Sequence, residues 1–282
     1  MKKLFQGVLI FSALMLIFAG CRQAPRTDDD TRVGEEIEVF DPASISDEVV
    51  GIIDQAPRSV DVFDFLNRTG AAYIFDLAVP FEVAEMHESS SQLSLLAGAY
   101  AADFAYARAY NRMDMAAQTG EMVLNLVNRL GITGELEESM SLINQMRETD
   151  DDDLRDELLP KVIEQLHEEM SDVYMSDIYA LTFIGANIEA LYIYTQLSLY
   201  ARDKQAMIDF FVEQEDMLFR VYDLLKVMAQ EGFLRIHPRI ADYHEAMSEI
   251  VSYYNAQDEI TDNELEVISE MIEQLRNDML TV

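Results

Sequence analysis

The chain has 282 residues and sets 20 Lys and Arg against 53 Asp and Glu, for a formal charge of −33. A polyanion of that size repels nucleic acid and anionic lipid headgroups, both of which recruit basic surfaces. Half of the residues are hydrophobic, enough to fold despite the charge, and the one cysteine excludes an internal disulfide or a thiolate metal cluster.

The chain opens with Met1-Lys2-Lys3, an apolar stretch from Gly7 to Gly20, and Cys21. A basic start, a short apolar run and small residues before a cleavage point are the parts of a secretory signal. Fourteen residues fall short of the roughly 20 that a transmembrane helix needs. The segment Leu16-Ile17-Phe18-Ala19-Gly20-Cys21 resembles the lipobox of bacterial lipoproteins, although Phe18 stands where Leu or Val is usual. The resemblance implies that residues 1–20 are a cleaved signal peptide and that Cys21 is acylated, palmitate being a typical chain. It also implies a domain outside the cytoplasm, in the periplasm or at the cell surface, with the membrane as a partner through the lipid.

Residues 21–45 carry Pro25, Pro42 and Asp28-Asp29-Asp30 with few large apolar side chains, the composition of a solvated tether. From Ser46, read as an N-cap with Asp47 and Glu48 behind it, a short helix runs towards Pro57. Residues 57–88, broken by Pro57, Gly70 and Pro80, read as short helical pieces capping one end of the core. Longer helices are expected at 89–112, 114–130, 134–148, 151–172, 175–202, 204–230, 236–257 and 262–279, with a kink or split at Pro160. Gly131 should end one helix, Thr261 should cap the last, and the acidic run Asp150 to Asp153 should cap another rather than hold calcium.

Residues 46–282 therefore read as a single all-α domain, a multi-helix bundle or short α-solenoid built from antiparallel helix pairs. The segments around Leu96-Ala97-Gly98-Ala99 and Phe183-Ile184-Gly185-Ala186 are apolar on nearly every side, which marks central helices. Gly98 and Gly185 should mark a close approach, and their offset of 87 residues leaves a duplicated unit open.

Asp103 and Glu189 interrupt those two apolar helices, and a buried carboxylate needs a partner. Arg108, Arg112 and Arg202 are the arginines nearest in sequence and helix placement. With Tyr106 and Tyr192 from the tyrosine-rich rows of the same helices, Asp103 and Glu189 form the candidate ligand site; a purely structural acid–arginine pairing is the alternative. Glu164 and His167, one helical turn apart, are the candidate metal ligands, but no second Glu-x-x-His accompanies them. His237 and His244 are seven residues apart and read as surface histidines on one helical face.

No nucleophile elbow, phosphate loop, zinc-peptidase motif or haem-attachment motif is present, so no catalytic residue is assigned and no cofactor is expected. The leading expectation is a non-enzymatic envelope lipoprotein that binds or scaffolds a partner protein, a peptide or a small ligand. The alternative is an envelope enzyme or metal-binding protein whose site is assembled from dispersed carboxylates and histidines.

Overall fold

Two helices without a polar side need neighbours on every side, and the rest of the chain supplies them. The computed structural model describes residues 42–55, 59–149, 151–171 and 175–281. The signal segment, Cys21, the tether as far as residue 41, Asp150 and Tyr174 lie outside the described residues.

Among the described residues every regular element is helical. In chain order they are α1 (Pro42–Ile53), α2 (Ser59–Arg68), two 3-10 turns (Phe75–Leu77 and Phe81–Met86), α3 (Ser90–Ala109), α4 (Met113–Leu130), α5 (Glu137–Glu148) and α6 (Asp152–Met170). There follow α7 (Ser176–Leu199), α8 (Lys204–Glu213), α9 (Glu215–Met228), the single turn α10 (Glu231–Leu234), α11 (Ile240–Asn255) and α12 (Asp262–Leu280). The fold is an all-α bundle.

At its centre α3 packs along α7. A methyl group added at Gly98 would run into the Thr182 carbonyl, and one at Gly185 into the Leu95 carbonyl, so each glycine admits the other helix's backbone. Around this seam α4 and α2 cover α3, while α12, α9, α1 and α2 cover α7 and α11 closes against α9 and α12. The segment before α3 packs into the main core through Phe63, Leu66, Leu77, Val79 and Val83.

The hairpin of α5 and α6 stands apart. Its two helices pack on each other, and a small separate apolar cluster (Ile132, Leu136, Met170, Met175) joins them to α7. The carboxylate of Glu169 on α6 accepts the Glu138 and Ser139 amides (2.9 and 3.1 Å) and the Ser139 hydroxyl, so one helix caps the start of the other.

Local signals account for most helix ends. Asp151 accepts the Asp153 and Leu154 amides, Gly131 ends α4 at φ 77°, and Thr261 forms a full capping box with Glu264. Three expectations are corrected. The first helix begins at Pro42, whose fixed φ suits a first turn, and Ser46 lies inside it, buried. Pro160 does not split α6, which continues to Met170. The stretch 204–230 is two helices, because the backbone leaves helical geometry at Gln214 (φ −104°, ψ 17°) without any glycine or proline.

Candidate functional site

Asp103 and Glu189 are both sealed in the core, at 1% and 0% exposure. The arginine that meets Glu189 is Arg276 of α12, not Arg108, Arg112 or Arg202: α12 lies along α7 and brings in a residue 87 positions away. Arg276 grips Glu189 with two parallel bonds, Nε to Oε2 at 2.7 Å and Nη2 to Oε1 at 2.8 Å. Its Nη2 also donates to the Leu77 carbonyl (2.9 Å), and its guanidinium lies 4.1 Å from the Tyr192 ring centre. The pair is thus bidentate, hydrogen-bonded to the backbone and stacked, as a buried ion pair must be to offset its desolvation.

Asp103 has no cation of its own in hydrogen-bond contact. Its Oδ2 accepts the Val79 amide at 2.9 Å, and its Oδ1 has no hydrogen-bond partner among the described residues. Burial pushes the Asp103 carboxyl well above its usual range, and the nearby Glu189 charge pushes the same way, against the weaker pull of the Val79 amide and Arg276. Burial also raises Glu189, opposed by Arg276. One guanidinium thus faces two carboxyl groups and pairs with Glu189, while Asp103 is the one pushed well above its ordinary range.

The tyrosines divide. Tyr192 joins this cluster under Arg276, whereas the Tyr106 hydroxyl turns to the Ile74 amide (2.8 Å) and its ring stacks on Tyr73. Neither the cavity along α4 and α5 nor the small one beside Phe210 and Phe211 borders either acid. The centre is therefore a packed polar knot that fixes α3, α7, α12 and the first 3-10 turn relative to one another.

The metal candidates Glu164 and His167 both lie on α6. Glu164 is exposed, while both ring nitrogens of His167 are engaged, Nδ1 with the Tyr179 hydroxyl (2.5 Å) and Nε2 with Asp54 (3.1 Å). No group of three His, Asp or Glu converges among the described residues.

The histidine expectation is overturned for His237. It precedes α11, is 3% exposed and shares no helical face with His244, whose ring stacks on Tyr222. Instead His237 Nδ1 meets the Ser91 hydroxyl and His237 Nε2 faces Asp177 Oδ2 at 3.3 Å. Sequence spacing could not reveal this chain, because its members are 60 and 146 positions apart.

An open cavity lies where α4 faces α5 and the second 3-10 turn. This groove holds about 470 Å³. The side-chain amides of Gln118, Asn125 and Asn128 line it beside Met122, Leu124 and Met140. Arg147 and Glu121 form an ion pair across it (2.6 Å), and Arg129 donates to the carbonyls of Ala84 and His87, tying its floor to the turn. Sequence reasoning missed the groove because its walls come from separate helices.

No described helix is long and apolar enough to cross a membrane. Compared with protein-family models, curated proteins and solved structures, the chain has no match in any of the three.

Proposed function

We propose that the chain is a bacterial envelope lipoprotein, held at a membrane through an acylated Cys21, whose helical domain holds an extended peptide segment of a partner protein. The groove between α4 and the α5–α6 hairpin carries this reading. A side-chain amide carries a donor and an acceptor, the pair that an extended peptide backbone needs at every residue; Gln118 Nε2 already donates to the Asp114 carbonyl and Asn128 Oδ1 accepts the Thr133 hydroxyl, which makes Asn125 the central contact. Met122, Leu124 and Met140 supply an apolar wall, two of them with the pliability that lets methionine fit varied side chains. Glu121 is already paired with Arg147, so Glu85 and the strong negative charge of the chain as a whole favour basic residues flanking the bound segment.

The test presents the full chain in detergent micelles to a displayed library of random peptides. Selected peptides should carry Lys or Arg at their flanks and lose at least about tenfold in affinity for Asn125→Arg, about 1.4 kcal/mol. Peptides that bind this variant as well as the wild type, or a selection that returns none, would remove the groove from the proposal. The anchor is checked separately by feeding cells labelled palmitate, which should mark the wild type and not Cys21→Ser.

A further inference from the structure

Ser91, His237 and Asp177 come from three places in the chain. Ser91 is in the first turn of α3, Asp177 in the first turn of α7, and His237 in the turn between α10 and α11. The imidazole is buried, flanked by Phe233 on one face, while Ser91 is partly exposed and the Asp177 side chain 32% exposed. One hydrogen-bonded line thus runs from a hydroxyl within reach of solvent, through a sealed ring, to a carboxylate.

The tautomer follows from the partners. A carboxylate oxygen only accepts, so Nε2 carries the hydrogen towards Asp177 and Nδ1 is left to accept from the Ser91 hydroxyl. Burial works to raise the Asp177 carboxyl, but the hydrogen bond from His237 and the Ile178 amide together hold it below its ordinary range. It therefore stays ionised, able to orient the ring and to stabilise it when it takes a proton.

A second feature lies at the nucleophile itself. Ser90 and Ser91 are the first two residues of α3, and a helix leaves its first amides without intrahelical acceptors. The Ser89 side chain takes the Gln92 amide, and the Leu93 amide bonds to the Ser89 carbonyl. Among the described residues neither the Ser90 nor the Ser91 amide has a backbone acceptor. Two amides without a backbone acceptor, at the positive end of a 20-residue helix and next to the hydroxyl in the chain, are suited to an oxyanion.

We propose that Ser91, His237 and Asp177 form an acyl-transfer site that hydrolyses neutral carboxylic esters. Ser91 Oγ attacks the ester carbonyl carbon while its proton passes to His237 Nδ1, and the amides of Ser90 and Ser91 hold the oxygen on which charge develops. The bond to the alcohol oxygen then breaks, His237 returns the proton to that oxygen, and an acyl-Ser91 ester and a free alcohol result. Water attacks the acyl carbon, gives its proton to His237, and releases a carboxylic acid as the proton goes back to Ser91. Asp177 is the positioning residue. The strong negative charge of the chain disfavours anionic substrates, and the exposed Ile236, next to His237 in the chain, favours an apolar acyl group.

The experiment treats the full chain in detergent with a fluorophosphonate and, separately, with p-nitrophenyl butyrate. A single adduct should map to Ser91, and p-nitrophenol release should fall at least about 100-fold in Ser91→Ala. His237→Gln should lose both signals. Because that buried change can unfold the domain, Asp177→Asn gives an independent reading: kcat should fall while KM stays unchanged, which a loss of packing alone would not produce. Labelling that persists in Ser91→Ala, or a folded wild type without an adduct at Ser91, overturns the proposal.

Discussion

Two polar chains link the same three parts of this molecule, α3, α7 and the C-terminal region, and they differ in nearly everything else. At the centre, Asp103, Glu189 and Arg276 are sealed, and Arg276 has its hydrogen bonds inside the protein. At the edge, Ser91, His237 and Asp177 place a nucleophile and a half-buried carboxylate near water. The centre holds charge that cannot leave, so its energy goes into fixing the helices. The edge can pass a proton to a molecule arriving from outside. Access to solvent, rather than the residue types, separates a structural polar cluster from a chemical one.

The sharpest way to break that contrast is to change a carboxylate to its amide at each place. Glu189→Gln leaves a buried guanidinium short of its counter-charge and should cost about 3–5 kcal/mol, read from urea unfolding. Glu189→Leu with Arg276→Met removes both charges and should recover most of the loss. A double variant as unstable as the single one would mean that the pair does more than satisfy its own charges.

Next in size is the seam that both chains cross. Gly98→Ala and Gly185→Ala should each cost about 1–3 kcal/mol or more, because the atoms that a methyl would strike belong to the facing helix backbone and not to a side chain that can swing away. Thermal unfolding checks this. A variant as stable as the wild type would show that α3 and α7 can separate without loss.

The central acids also set a pH dependence. A carboxyl raised in the folded state binds its proton more tightly there than in the unfolded chain, so its stabilising effect is complete below about pH 4 and declines as pH rises towards the folded value. Asp103→Asn removes that titration. From pH 5 to 8 it should equal or exceed the wild type in stability and flatten a decline of up to about 1.4 kcal/mol per pH unit. Some slope of the same sign should survive, since Glu189 is raised too. Identical slopes in the two proteins would mean that Asp103 is already ionised.

What the sequence made legible follows the distance over which each signal acts. The cap at Thr261 and the turn at Gly131 are local and are read directly from residue types. Asp103 and Glu189 stand out because each breaks an apolar run, and the seam glycines because small residues sit early in the same runs. Arg276 does not stand out: it lies on an ordinary amphipathic helix and meets its partner through tertiary packing. The break at Gln214 carries no breaker residue, and the Ser89-Ser90-Ser91 run reads only as a helix start until the fold brings His237 beside it. The groove depends on how a hairpin sits against α4, which no single helix encodes.

The smallest expected effect is the most discriminating. Asp177→Asn makes at the edge the same exchange that Glu189→Gln makes at the centre, yet it should cost less than about 1 kcal/mol, because a partly exposed pair is screened by water. Its pH dependence should run the opposite way. A carboxyl held below its ordinary value stabilises the fold above about pH 4, and that contribution is lost as pH falls through the folded value. The acid-side loss should therefore be shallower in Asp177→Asn than in the wild type, with the neutral range almost untouched. Urea midpoints measured from pH 2 to 5 decide it. A cost approaching that of Glu189→Gln would place the edge chain with the centre as scaffolding, and would leave Ser91 a structural hydroxyl.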